Sequence, residues 1–269
     1  MTAWSDVCVL DDRGGCTLPA EWGQGRAAFG GLVAGLGLRA MRRIVPGRPL
    51  RSVLVSFANP AAQGPAQVQA RLLREGRALS QVEARLSQGG QDCAVLIAAF
   101  GEGRPTAVPR IAGPDAPAAP APDTLPAFPY LAGITPDFTR FLDYRWVGEG
   151  LPFGGGPVAR TGGWIRLKDA TPVDEAGALA MIDAWPAPVL TLLTAPAAAS
   201  TVTWMVDFVR AWPPGGVDPE AWWRFEGTTT AAGQGYADVD GLLWGPDGGL
   251  VATSRQLVAE FSAPAVTIR

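Results

Sequence analysis

Residues 25–47 read GRAAFGGLVAGLGLRAMRRIVPG, and within them Gly35-Leu-Gly37-Leu-Arg-Ala40 spells the glycine spacing of a dinucleotide-binding turn. That turn needs a buried parallel strand directly before its first glycine and an acidic residue about 20 positions later. Here the preceding residues, AFGGLVA, read as a turn and a helix start, and the next carboxylate is Glu75. The fingerprint is therefore rejected. Leu32, Leu36, Ala40 and Ile44 recur at helical spacing instead, Arg39, Arg42 and Arg43 suit the negative end of a helix dipole, and Pro46-Gly47 is a stop. The stretch predicts one helix starting near Gly31. Each interior glycine weakens it by about 1 kcal/mol relative to alanine, which close approach of the helix backbone to a surrounding sheet would offset.

Working outward, residues 51–57, 66–73, 78–86 and 92–100 are suited to strands, several alternating with period two, with turn-forming residues between them. This predicts an antiparallel meander after the helix. Residues 102–129, EGRPTAVPRIAGPDAPAAPAPDTLPAFP, lack apolar periodicity, and their prolines are barred from helix interiors and central strands. They read as a linker. Beyond it come extended pieces at 141–146 and 163–167, then a helix over 174–185 with Asp174 as N-cap and Pro186 as stop. Strands follow at 202–209, 222–229, 235–244 and 250–261. A helix and then four strands, occurring twice, is an internal duplication. The expected organisation is a first half at 1–101, a linker at 102–129 and a second half at 130–269.

Composition narrows the chemistry. The chain has 269 residues, 48% of them hydrophobic, enough for a sizeable core. A net charge of -3 gives no general attraction for nucleic acid or anionic lipid, so neither is expected as a partner. The N-terminus, MTAWSDVCVLDDRGG, lacks the basic and apolar pattern of a signal peptide, and the cytoplasm is the expected compartment. Apolar runs fall short of the roughly 20 residues that cross a bilayer, so no span is expected. Cys8, Cys16 and Cys93 form no C-x-x-C pair, and neither a metal nor a cofactor is expected. Most restrictive is the absence of histidine, which removes Ser-His-Asp triads, Cys-His pairs and histidine zinc sites together. Any hydrolysis must use carboxylates, amides, hydroxyls and backbone dipoles.

Phe29-Gly-Gly31 opening a helix, the strand Ser52-Val-Leu-Val-Ser-Phe57, and Leu250-Val-Ala-Thr-Ser-Arg-Gln256 near the end together resemble the bacterial type II acyl-CoA thioesterases. The resemblance implies an α+β double hotdog and an acyl-CoA substrate, and members of that family commonly associate, so a homo-oligomer is expected. It also implies a water held by an Asp, a Thr or Ser, and a Gln. By position the Gln is Gln256 and the hydroxyl is Thr228 or Thr229, while the place expected for the Asp, in the strand after the second helix, holds Thr203. A threonine cannot accept a proton at neutral pH, and loss of a general base typically lowers the rate about 100- to 10,000-fold. Asp207, four residues on and on the same strand face, is the candidate substitute. Phe29, Gly30 and Gly31, at a helix N-terminus, are candidates for receiving the thioester oxyanion. The arginines at 26, 39, 42, 43, 48, 51, 71 and 74 stand in a stretch without Asp or Glu and could meet CoA phosphates, although a solvated face is the plainer reading. Two functions remain open at this stage: an acyl-CoA hydrolase, or a non-catalytic acyl-thioester binder on the same scaffold.

Overall fold

The computed structural model describes residues 2–148 and 150–262, so residues 263–269 of the expected second half lie outside the described residues. Its first part runs α1 (Trp4–Val7), β1 (Gly15–Leu18), a short hairpin of β2 (Gly23–Gln24) and β3 (Ala27–Ala28), then α2 (Gly30–Ile44). The meander that follows is β4 (Leu50–Phe57), β5 (Gly64–Glu75), β6 (Leu79–Gln88) and β7 (Gln91–Gly101). After residues 102–121, which form neither helix nor strand, come β8 (Leu142–Trp146), β9 (Arg160–Leu167) and α3 (Glu175–Asp183). A second meander of β10 (Ala198–Phe208), β11 (Trp223–Gly233), β12 (Tyr236–Trp244) and β13 (Leu250–Phe261) completes the repeat.

All the long strands join in one 11-stranded sheet ordered β1-β5-β6-β7-β4-β10-β13-β12-β11-β9-β8. The halves meet where the first strand after each helix pairs antiparallel with its counterpart, Leu54 of β4 opposite Met205 of β10. Each half wraps its sheet around one helix, and the whole is a double hotdog. The central strands alternate as a one-sided sheet should: Trp204, Val206 and Phe208 are buried toward the helices, whereas Thr203 and Met205 are exposed on the outer face.

α2 and α3 pack antiparallel inside the sheet. A Cβ on Gly31 would lie 2.8 Å from the Cα of Ala180, so only glycine lets the two backbones come this close. At the other end Arg39 and Arg42 of α2 pair with Asp174 and Glu175 at the start of α3. The interior glycines of α2 serve two further neighbours. A Cβ at Gly35 would meet the Trp4 ring and Cys8 Sγ at 2.9 Å, and one at Gly37 would come within 2.6 Å of Leu96 on β7. The expected approach of sheet to helix therefore holds at Gly37, while Gly35 admits the N-terminal segment. α3 is buried on every side from Ala176 through Ile182, as a helix apolar all round should be.

The segment between the halves is fastened to the outer face of the sheet. Arg145, Trp164, Arg224, Trp244 and Leu250 form a row across β8, β9, β11, β12 and β13. Trp244 donates its indole N–H to the Pro114 carbonyl and Trp164 donates to that of Pro120. Gly113 packs against Leu250. Prolines supply carbonyls without competing N–H donors, so this stretch can bind the tryptophans while running across the strands.

Candidate active site

The N-termini of the two central helices are in different states. α3 is capped by its own Asp174, whose carboxylate accepts from the Gly177 amide at 2.9 Å, and its first turn is held by the two arginines of α2. α2 begins at Phe29 with no side-chain cap, leaving the first amides free of helix-internal acceptors. What meets that open end is Asp183, the last residue of α3, brought there by the antiparallel packing. The Gly31 amide faces its carboxylate and draws its proton affinity down. A Cβ on Gly30 would come within 2.7 Å of Asp183 Oδ2.

Two strands complete the cluster. Gln256, inward-facing on β13, donates from Nε2 to Asp183 Oδ1 at 3.3 Å. Its Oε1 accepts from Thr201 Oγ1 on β10 at 3.2 Å. The amide is thereby fixed in one orientation, with a hydroxyl donor on its oxygen and a carboxylate acceptor on its nitrogen. Thr201 reaches the inner face because β10 carries a bulge between Thr201 and Thr203. The extra residue changes the face parity, so Thr201 joins Trp204 on the helix side. Beneath the pair, Trp204 Nε1 donates to Ser254 Oγ at 2.8 Å, keeping this neighbour of Gln256 satisfied.

Electrostatically, Asp183 is poised. Burial pushes its carboxyl up to about 7, against the lowering effect of hydrogen bonds from the Gly31 amide and Gln256. Tyr144, buried nearby with its hydroxyl donating to the Ala184 carbonyl, is itself held above the usual phenol range by burial and by the Asp183 charge.

The structure does not bring several of the sequence-based site candidates to Gln256. Thr203 is exposed on the outer face opposite Ser56 and Leu257, and Asp207 lies farther along β10 opposite Ser52 and Thr253. The two share a face as expected, but it is the one turned away from the helices. Thr228 stands opposite Asp240, whose carboxylate lies near Arg255 on the outer face. Thr229 shares a cross-strand row with Val239 and Gln256, two strands from the latter, roughly 10 Å away at strand spacing. The hydroxyl that touches Gln256 belongs to Thr201. The Phe29 ring is fully buried, stacked on Phe138 with centroids 3.9 Å apart, and serves the core.

The carboxylate beside Gln256 is Asp183, at the end of a helix and not in the strand to which the family pattern points. One signal could have found it: Asp183 is the sole acidic residue in the apolar run AGALAMIDAWPAPVL. The arginine stretch is also largely committed. Besides Arg39 and Arg42, Arg43 donates to the Leu10 and Asp11 carbonyls, Arg48 to Gly76, Arg77 and Ser80, and Arg51 to Gly101, while Arg71 pairs with Glu83.

Comparison with known proteins agrees with the fold. Residues 18–101 match the acyl-CoA thioesterase N-terminal domain and residues 114–259 the acyl-CoA thioesterase C-terminal domain. The chain belongs to this acyl-CoA thioesterase family. Among solved structures, a conserved protein of unknown function with a hot dog fold from Alicyclobacillus acidocaldarius is 26% identical, with a TM-score of 0.84 over 97% of this chain and 98% of that one. An acyl-CoA thioesterase II from Mycobacterium marinum is 21% identical, with a TM-score of 0.71 over 98% and 99%. A tesB protein from Mycobacterium avium subs paratuberculosis is 18% identical, with a TM-score of 0.76 over 96% and 98%. No curated protein sequence matches the chain significantly. Among the described residues no helix is long and apolar enough to cross a membrane.

Proposed function

We propose that the chain hydrolyses acyl-CoA thioesters at the cluster of Gly31, Asp183, Thr201 and Gln256. The observation that carries this reading is the hydrogen-bonded sequence Thr201 to Gln256 to Asp183, ending at the uncapped start of α2. A water held by Gln256 and Asp183 gives its proton to the carboxylate as its oxygen bonds to the thioester carbon. The developing oxyanion is stabilised by the positive end of α2, where glycines permit close approach. Collapse of the adduct breaks the carbon–sulfur bond, and Asp183 returns the proton to the departing thiolate. A carboxyl near neutrality suits both roles.

The non-catalytic alternative drew its motive from a site lacking a carboxylate, and Asp183 removes that motive. The division into halves at 1–101 and 130–269 around a linker at 102–129 belongs to the same reading, as does a cytoplasmic setting. Association of copies is part of it too, supported by exposed Leu54, Ile97 and Met205 on the outer sheet face.

Release of free thiol from a panel of acyl-CoAs tests the function. Asp183→Asn is expected to lower kcat about 100- to 10,000-fold, and kcat/KM of the unmodified protein to rise with pH through about 7. Thr203→Ala and Asp207→Asn are expected to leave both parameters unchanged. Thiol release from no acyl-CoA, or undiminished turnover in Asp183→Asn, overturns the reading.

A further inference from the structure

A narrow cleft leads inward from Gln256, between the sheet and the segment that follows α3, and its free volume is only about 10 Å³. That is room for roughly one water molecule. The floor of the cleft explains why so little space remains. Gly227 of β11 and Gly241 of β12 are directly paired, and Gly241 is paired in turn with Ser254 of β13, one inward-facing step from Gln256. Two adjacent glycines take the side chains off the floor at this point and would leave a slot along the sheet. The slot is filled. The Phe225 ring lies across both glycines, so that a Cβ on Gly241 would meet it at 3.0 Å and one on Gly227 at 3.1 Å. Trp185, two residues beyond Asp183, stacks on that ring with centroids 5.7 Å apart and planes inclined by 12°.

We infer that Phe225, backed by Trp185, is the stop that sets acyl length, and that with this ring in place the site takes only short acyl groups. The measure is the sheet's own. The Gln256 row and the row under the ring are one inward-facing step apart, two residues or roughly 7 Å between centres along a strand, and the thickness of the side chains at each end reduces this to the small opening that the cleft volume records. A longer chain meets an aromatic pair closed against a tightly packed core, where displacement forfeits contacts on both rings. This inference rests on the hydrolase reading for the placement of the thioester, but the length limit itself is a property of the cleft.

The test uses the full chain and straight-chain acyl-CoAs from acetyl to palmitoyl in two parallel measurements. Thiol release gives kcat/KM, and calorimetry on Asp183→Asn gives affinity where turnover is suppressed. Both are expected to peak among the short chains and to fall at least tenfold by octanoyl-CoA. Phe225→Ala is expected to move the peak to longer chains, with octanoyl-CoA gaining at least tenfold over butyryl-CoA. Since removing a core phenylalanine can unfold a domain, Phe225→Leu serves as the milder variant, with a smaller shift in the same direction. Palmitoyl-CoA bound and turned over as well as butyryl-CoA by the unmodified protein overturns the inference, as does an unchanged length profile in a folded Phe225 variant. Absence of turnover together with a short-chain limit in binding leaves the length stop standing and sinks the hydrolase reading instead.

Discussion

Asp183 joins two demands that normally conflict. A carboxylate in an apolar setting loses hydration, and its proton is held more tightly until neighbouring donors compensate. Here an amide N–H from Gly31 and an amide N–H from Gln256 compensate only in part, leaving the group near neutrality. The sign of the stability effect follows. Between the ordinary carboxyl value of 3.8 and about 7 the native state holds a proton that the unfolded chain has released, so stability falls as pH rises through that window. Asp183→Asn removes the titration. Its melting temperature relative to the unmodified protein is expected to climb from about pH 4 to about pH 8, read from paired thermal melts, and a pH-independent difference would contradict the assignment. Gln256 was legible in the sequence as a candidate through the resemblance of Leu250-Val-Ala-Thr-Ser-Arg-Gln256 to the family's closing strand. Thr201 was not, because one extra residue in β10 reverses the face count, and no periodicity announces a bulge.

At the scale of elements, α2 shows why glycines cluster in a helix that they weaken. Each faces a different partner: Gly31 the backbone of α3, Gly35 the N-terminal segment, Gly37 a leucine of β7. The contact at Gly31 matters most to chemistry, since it sets the separation of the helix start from Asp183. Gly31→Ala places a methyl group 2.8 Å from the Ala180 Cα, which neither backbone can yield without moving. The variant is expected to lose about 1–3 kcal/mol in denaturant unfolding, with a fall in kcat larger than the fraction unfolded explains. The placement of the helices and strands was largely legible. Period-two runs became β4 to β7 and β10 to β13, and Asp174 caps α3 as its position before an apolar run suggests. The N-terminal strand β1 was not legible because its four residues, Gly-Cys-Thr-Leu, are too few to show an apolar alternation, and it owes its place to pairing with β5.

For the molecule as a whole, the pairing of β4 with β10 and the packing of α2 on α3 make the halves interdependent. Separated, each half would expose one long central strand edge and one apolar helix flank, a liability that folded proteins avoid. Fragments 1–112 and 113–269 expressed alone are therefore expected to aggregate, whereas the two expressed together are expected to copurify as a soluble complex. Two independently soluble, monomeric fragments would contradict this. The break falls before Pro114, so the second fragment keeps the carbonyls that Trp244 and Trp164 bind.

By itself the sequence determined the repeated helix-and-meander order and the absence of histidine chemistry, since period, composition and turn residues are local properties that neighbours in the chain dictate, while Gln256 became a candidate through the resemblance of Leu250-Val-Ala-Thr-Ser-Arg-Gln256 to the family's closing strand. Only the tertiary structure decided which carboxylate stands beside Gln256. Asp183, Thr201, Gln256 and Gly31 come from four elements, and their meeting depends on the antiparallel crossing of two helices and on a bulge in one strand. Those are relations between distant segments, set by what each can pack against, and a one-dimensional pattern carries no record of them.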